Sequence, residues 1–162
     1  NGLGMSQGSK AALLKILGGI KIPAVVDAEG LLPEILNIKD KELILTPHAK
    51  EFSRVFGCEA NKKNLITCAE KHKCTVLLKG AIDLIASGSG ELYENETGCP
   101  EMRVGGTGDV LAGIVGGFIS QGLNAFEACC SAAYYWGKCG SSLAKQRGCL
   151  TALDMVSSLN LK

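Results

Sequence analysis

Apolar positions along the chain fall into two alternating kinds of segment. Short, dense apolar runs read as buried strands: Pro23–Val26 (PAVV), Glu42–Leu45 (ELIL) and Cys74–Leu78 (CTVLL). Around them lie stretches with apolar residues every three or four positions, the spacing of one helix face. These are Ser9–Leu17, opened by a serine, Glu51–Phe56, closed by Gly57, and Asn61–Lys73. Ile82–Ser87 and Glu91–Tyr93 flank Gly88-Ser89-Gly90, the pattern of a hairpin. The remainder predicts helices from Val110 to about Gln121, from about Ala125 to Ala144, and over Thr151–Leu159, where Thr151 and Asp154 have capping-box spacing.

This alternation predicts an α/β fold with a mostly parallel central sheet and helices on both faces. Ligands of such sheets bind beyond the carboxyl ends of the strands. Polar residues of chemical interest stand at those ends: Asp27 after PAVV, Pro47-His48 after ELIL, and Lys79-Gly80 after CTVLL.

Composition narrows the field. At 162 residues the chain has one domain's length, with 46% hydrophobic and 20% charged residues. A net charge of +1 gives no electrostatic case for nucleic acid or an anionic membrane. No apolar run reaches membrane-spanning length, and no charged-then-apolar leader opens the chain, so a cytoplasmic setting is expected. The eight cysteines form no C-x-x-C pair and have only two histidines for company, which argues against zinc. They read as reduced, mostly buried small hydrophobes.

The 21 glycines cluster, and the densest cluster carries the strongest local signal. Gly105-Gly106-Thr107-Gly108-Asp109 stands directly before a helix. Glycines let backbone amides approach a ligand, and a helix start adds N–H groups and the positive end of its dipole. The result suits a phosphate. It is neither a Walker loop nor the dinucleotide fingerprint, since no Lys-Ser/Thr follows and the G-x-G-x-x-G spacing is absent. Asp109 has two readings. It takes a proton from a hydroxyl attacking phosphorus, or it merely caps the helix.

His48 and Glu51, three apart, can share one side of a starting helix. Glu51 either holds Mg²⁺ through water or serves as a helix-start acid. Lys79 can meet a phosphate, with Gly80 allowing close approach, or it is a solvated lysine in a strand connection. Asp27 and Glu29 line a pocket or turn the chain. Asn1-Gly2-Leu3-Gly4 offers another close backbone contact or is a frayed end. Tyr134, Tyr135 and Trp136 read as core and interface.

Taken in order, these motifs resemble the ribokinase-like superfamily, and more closely its ADP- or ATP-dependent NAD(P)H-hydrate dehydratases. Asn1–Gly4 resembles the end of the family's G-P-G-L-G turn, Val25–Leu31 its DAD/DAE segment, and Leu45–Phe52 its L-T-P-H-x-x-E-F motif. Leu77–Gly88 resembles its K-G-x-x-D hairpin. Asn95–Ile114 resembles its N-x-T-G-x-x-x-M-x-x-G-G-T-G-D-V-L-A-G signature.

The resemblance implies repair of hydrated NADH or NADPH (NADHX, NADPHX), coupled to hydrolysis of ADP or ATP with Mg²⁺. It implies that Asp109 is catalytic and that Gly4, Asp27, His48 and Asp109 meet the hydrate. Lys79, Gly80, Ala81, Ile82, Asp83, Asn95, Gly105, Gly106, Thr107 and Gly108 would meet the nucleotide, with Glu51 near the metal. The family carries a further segment ahead of the G-P-G-L-G turn. The expectation is therefore a single domain over residues 1–162, incomplete at its N-terminus, working as a homo-oligomer or with a complementing chain. Two other functions stay open: a small-molecule kinase of the same superfamily, of hydroxymethylpyrimidine or thiazole type, and a catalytically silent nucleotide-binding subunit.

Overall fold

The computed structural model describes Gly4 and residues 6–159. At its centre is a five-stranded sheet in the order β1 (Ala24–Val26), β2 (Leu43–Leu45), β3 (Thr75–Leu78), β4 (Asp83–Ala86) and β5 (Leu92–Asn95). The first three strands are parallel, with Val25 opposite Ile44 and Ile44 opposite Thr75. The hairpin continues the sheet antiparallel, with Leu77 opposite Ile85 and Ile85 opposite Tyr93. The sheet is therefore mixed, since a turn as short as that between β3 and β4 can only reverse the chain.

Side chains alternate along each strand, so every strand feeds two cores. Leu43, Leu45, Val76, Leu78 and Ala86 face one side, where they meet Leu17, Phe52, Val55 and Leu65. Those partners come from α1 (Gln7–Gly19), α2 (Ala49–Phe56) and α3 (Lys62–His72). Ile44, Leu77 and Ile85 face the other side, against Val115, Ala132, Trp136 and Met155. These belong to α4 (Thr107–Ser120), α5 (Ala125–Arg147) and α6 (Ala152–Ser158). Each fully buried leucine or isoleucine contributes about 2 kcal/mol by leaving water. Helices cover both faces, as the apolar runs predict.

The helix ends show local chemistry at work. Ser6, not Ser9, caps α1, and its Oγ accepts the Ser9 N–H at 3.0 Å. Asn61 caps α3, and Lys73 closes it in the left-handed region. Thr151 and Asp154 form the expected capping box of α6. Gly57 closes α2 with φ 70°. The largest difference is at α4, which starts at Thr107 rather than Val110. Thr107, Gly108 and Asp109 are thus its first turn, not a loop ahead of it.

Cys68, Cys74 and Cys129 are buried, and burial pushes the Cys74 thiol up to about 12. Trp136 is buried, whereas Tyr134 and Tyr135 are exposed, so only the tryptophan joins the core. Among the described residues no helix is long and apolar enough to cross a membrane.

Candidate active site

Parallel pairing brings the ends of β1, β2 and β3 to one edge of the sheet. There the Lys79 ammonium at the end of β3 meets the Asp27 carboxylate at the end of β1, at 2.7 Å. Asp27 is almost fully buried, and Lys79 is its charge partner. The Lys79 backbone is tied to β2 by its N–H, which donates to the Pro47 carbonyl at 2.8 Å. His48, the next residue, bridges alongside Lys79.

The start of α4 is brought against this pair. A Cβ on Gly108 would lie 3.3 Å from Lys79 Nζ and 3.6 Å from Asp27 Oδ2, so glycine is what lets the helix start come so close. Gly106 precedes the helix at φ 88°, a left-handed conformation that favours glycine. Thr107 Oγ1 donates back to the Val104 carbonyl at 2.8 Å and fixes the turn. No side chain caps this helix. The Thr107 N–H reaches back to the Val104 carbonyl at 3.5 Å, while the Gly108 and Asp109 N–H groups have no partner among the described residues, with the positive end of the helix dipole behind them.

The β3–β4 turn forms the second wall. A Cβ on Gly80 would sit 2.8 Å from the Ile82 carbonyl oxygen, so the turn demands glycine. The Gly80 N–H donates to Asp83 Oδ1 at 3.1 Å, and Asn95 Nδ2 donates to Asp83 Oδ2 at 3.2 Å. Burial pushes the Asp83 carboxyl above its ordinary value, opposed by these two bonds and by the Lys79 charge. Asn95 in turn donates to the Ala133 carbonyl of α5 and accepts from Thr97 Oγ1.

Residues 98–103 form the third wall, seated on α5 by two glycines. A Cβ on Gly137 would fall 2.1 Å from Thr97 Oγ1, and one on Gly140 would fall 2.4 Å from Met102 Sδ. Between the walls lies an open cleft of about 270 Å³. Lys79, Gly80, Ala81 and Asp83 line it from the turn, Thr107, Gly108 and Leu111 from α4, and Trp136 from α5. Cationic, glycine-framed and floored by Leu111 and Trp136, the cleft suits a planar base carrying phosphates.

The family model for NAD(P)H-hydrate dehydratases matches residues 1–160. The chain belongs to this family. An ADP-dependent (S)-NAD(P)H-hydrate dehydratase of Nitrosopumilus maritimus is 37% identical over 170 residues, covering 98% of this chain and 59% of that protein. A bifunctional NAD(P)H-hydrate repair enzyme of Methanopyrus kandleri is 40% identical over 153 residues, covering 90% of this chain and 30% of that protein. An ADP/ATP-dependent NAD(P)H-hydrate dehydratase of Bacillus subtilis, co-crystallised with ATP/Mg²⁺, has a similar structure. It superposes with TM-score 0.84 at 26% identity, over 95% of this chain and 58% of that one. A hydroxyethylthiazole kinase of Pyrococcus horikoshii shares the fold, with TM-score 0.79 at 20% identity over 96% of this chain and 67% of that one. The chain thus spans 59% or less of the length of these two curated dehydratase relatives.

The structure sorts the residues expected in a dehydratase site. Lys79, Gly80, Ala81, Asp83, Thr107 and Gly108 line one cleft. Asp109 follows Gly108 directly and is exposed; it makes no capping bond, so the capping role is not realised. Asp27 contacts Lys79 rather than opening onto the cleft. Asn95 is 2% exposed with its amide fully engaged, so it positions Asp83 and does not face a ligand. Ile82 points to solvent, and Gly105 and Gly106 shape the turn from outside the cleft lining.

His48 is the N-cap of α2, and Glu51 completes the box. Glu51 Oε2 accepts the His48 N–H at 2.8 Å, and Glu51 N–H donates to His48 Nδ1 at 3.2 Å. One Glu51 oxygen is thus engaged in the cap, the other lies 3.5 Å from His48 Nε2, and Glu51 is not among the residues lining the cleft. Gly4 is exposed with φ 70° and is not among the residues lining the cleft, while Asn1, Gly2 and Leu3 lie outside the described residues.

Sequence reasoning missed Cys99, Met102, Arg103, Leu111 and Trp136 as lining residues. A signal existed for Arg103, a cation two residues ahead of the glycine cluster, but nothing local tied it to Lys79.

Proposed function

We propose that the protein carrying this chain dehydrates hydrated NADH or NADPH, using ADP or ATP, and that this cleft holds the nucleotide. The observation that carries the reading is Asp109. An exposed carboxylate without a capping partner, in the first turn of an uncapped helix beside a lysine-lined cleft, is poor design for binding phosphate alone. It suits a base that acts on a hydroxyl next to the phosphates.

Asp109 takes the proton of the hydrate's ring hydroxyl, and the freed oxygen attacks the terminal phosphorus of ADP or ATP. The bond to the bridging oxygen breaks, and AMP or ADP departs. The phosphorylated oxygen then leaves carbon as inorganic phosphate, pushed out by the ring nitrogen's electron pair. Loss of a proton from the adjacent carbon restores the ring double bond. Hydroxide, a poor leaving group, has become phosphate. First-turn N–H groups of α4 and Lys79 steady the transferring phosphoryl group. Mg²⁺ belongs with the nucleotide's own phosphates, the usual mode for this ion.

The ADP-dependent dehydratase activity of the Nitrosopumilus maritimus relative and the ATP/Mg²⁺ co-crystallised with the Bacillus subtilis enzyme support this reading. The eight free cysteines support a reducing, cytoplasmic setting. Among the described residues β1 pairs only with β2, which supports a further strand at that edge, from elsewhere in the protein or from another copy. The test is NADH regeneration from its hydrate, with ADP and Mg²⁺, by the full protein. Regenerated NADH with one phosphate released per turnover is the expected result. A phosphorylated alcohol from a hydroxymethylpyrimidine or thiazole, without NADH, would establish the kinase instead. Nucleotide binding without turnover would establish a silent subunit.

A further inference from the structure

Charge around the cleft is unevenly neutralised. The Lys79 ammonium is already held by the buried Asp27 carboxylate. Asp83 is bonded to Gly80 and Asn95. Arg103 lines the same cleft, is exposed, and forms no ion pair among the described residues. It is the cleft-lining cation whose charge the fold leaves without a counter-charge.

Its backbone is nevertheless anchored on both sides. Met102, just before it, fills the space above Gly140, where a Cβ would fall 2.4 Å from the sulfur. The Arg103 N–H closes the turn Pro100–Met102 by donating to the Pro100 carbonyl at 3.1 Å. Val104, just after it, donates to the Met102 carbonyl at 2.9 Å and accepts from Thr107 Oγ1 at 2.8 Å. The arginine therefore springs from a fixed segment that leads directly into the uncapped start of α4. A guanidinium offers a planar fork of donors that matches phosphate oxygens, and a pre-placed backbone limits what must be ordered on binding.

Resting on the nucleotide reading above, we propose that Arg103 is a second phosphate-binding cation of the cleft, gripping the phosphates of ADP or ATP that the start of α4 receives. Lys79 acts as a lysine already neutralised by Asp27, and Arg103 supplies the uncompensated charge. A solvated arginine on a surface loop would leave nucleotide affinity unchanged when removed.

The experiment compares wild type, Arg103→Gln and Arg103→Lys in the full protein, with ADP affinity by calorimetry and adenosine binding by NMR titration. Arg103→Gln is expected to weaken ADP about tenfold, the effect of one charge-assisted contact to phosphate. Arg103→Lys should recover part of that loss, and adenosine, which has no phosphate, should bind all three alike. The ADP affinity of Arg103→Gln should also depend less steeply on salt. Unchanged ADP affinity in Arg103→Gln overturns the assignment, as does an equal loss for adenosine and ADP, which marks a merely structural role. A folded wild type that binds no ADP overturns the nucleotide reading itself, an outcome distinct from either.

Discussion

The two principal walls of the cleft are built on opposite plans. In the β3–β4 turn the polar side chains and the Gly80 N–H have partners inside the protein: Lys79 with Asp27, Gly80 with Asp83, Asp83 with Asn95, and Asn95 with the Ala133 carbonyl. In the first turn of α4, no side chain caps the N–H groups, and Asp109 is exposed with no hydrogen-bond partner among the described residues. One wall uses its polar groups to hold shape. The other, framed by glycines, keeps them open to whatever enters. Under the proposed function, stability and chemistry are divided between the walls, and mutations should separate them.

The largest effect is expected on the open wall. Asp109→Asn keeps the size of the side chain and disturbs no bond seen in the structure. Melting should stay within about 0.5 kcal/mol of wild type. ADP affinity should hold or rise slightly, since a negative charge beside the phosphates is gone. Turnover of the hydrate should fall roughly a hundredfold or more, the scale of a lost general base. Parallel measurement of denaturation, ADP affinity and NADH regeneration checks all three. Wild-type turnover in the mutant would remove the division of labour at its main point.

On the paired wall the same experiment should give the reverse pattern. Lys79→Met leaves the Asp27 carboxylate, 5% exposed, without its counter-charge. A loss of about 2 kcal/mol of stability is expected, below the range for fully buried pairs because Lys79 itself keeps some solvent contact. ADP binding should weaken as well. Adding Asp27→Asn should restore most of the stability but not the affinity. Urea denaturation of the single and double mutants measures this, and a Lys79→Met protein as stable as wild type would show the pair to be incidental.

The smallest effect is a pH dependence. Burial raises the Asp83 carboxyl, so the folded chain keeps this proton to higher pH than the unfolded chain does. The stability this group contributes is fully present below the unfolded value. It declines as pH rises from the ordinary carboxylate value through the raised one, and is level above that. Asp83→Asn should flatten that part of the profile. Denaturation midpoints from about pH 3 to about pH 7 in both proteins test the sign. A wild-type profile that rises through this window where the mutant's does not would show that the two hydrogen bonds outweigh burial.

Much of this molecule was legible residue by residue. PAVV, ELIL and CTVLL became β1, β2 and β3 because short apolar runs between turn residues bury on both faces. Gly88-Ser89-Gly90 marked the hairpin, and Thr151 and Asp154 marked a helix start, because turns and caps are made by neighbours in sequence. The GGTGD cluster marked a glycine-framed helix start without a side-chain cap for the same local reason. Glu51 could be read as a metal holder or as a helix-start acid, because both use the same place in the first turn, and the hydrogen bonds show that it forms a capping box with His48.

Partnerships between distant residues were decided by tertiary structure alone. Asp27 and Lys79 are 52 positions apart, and they meet because β1, β2 and β3 run parallel and bring their carboxyl ends to one edge of the sheet. Asn95, which looked like a ligand residue within its motif, is enclosed because β5 packs on α5 and buries it. Arg103 enters the cleft because Met102 fits the space left by Gly140, a residue far along the chain. Periodicity and turn chemistry act over a few residues, and so a sequence displays them directly. Which charges end up neutralised depends on strand register and on how closely two helices pack, and those are properties of the assembled fold.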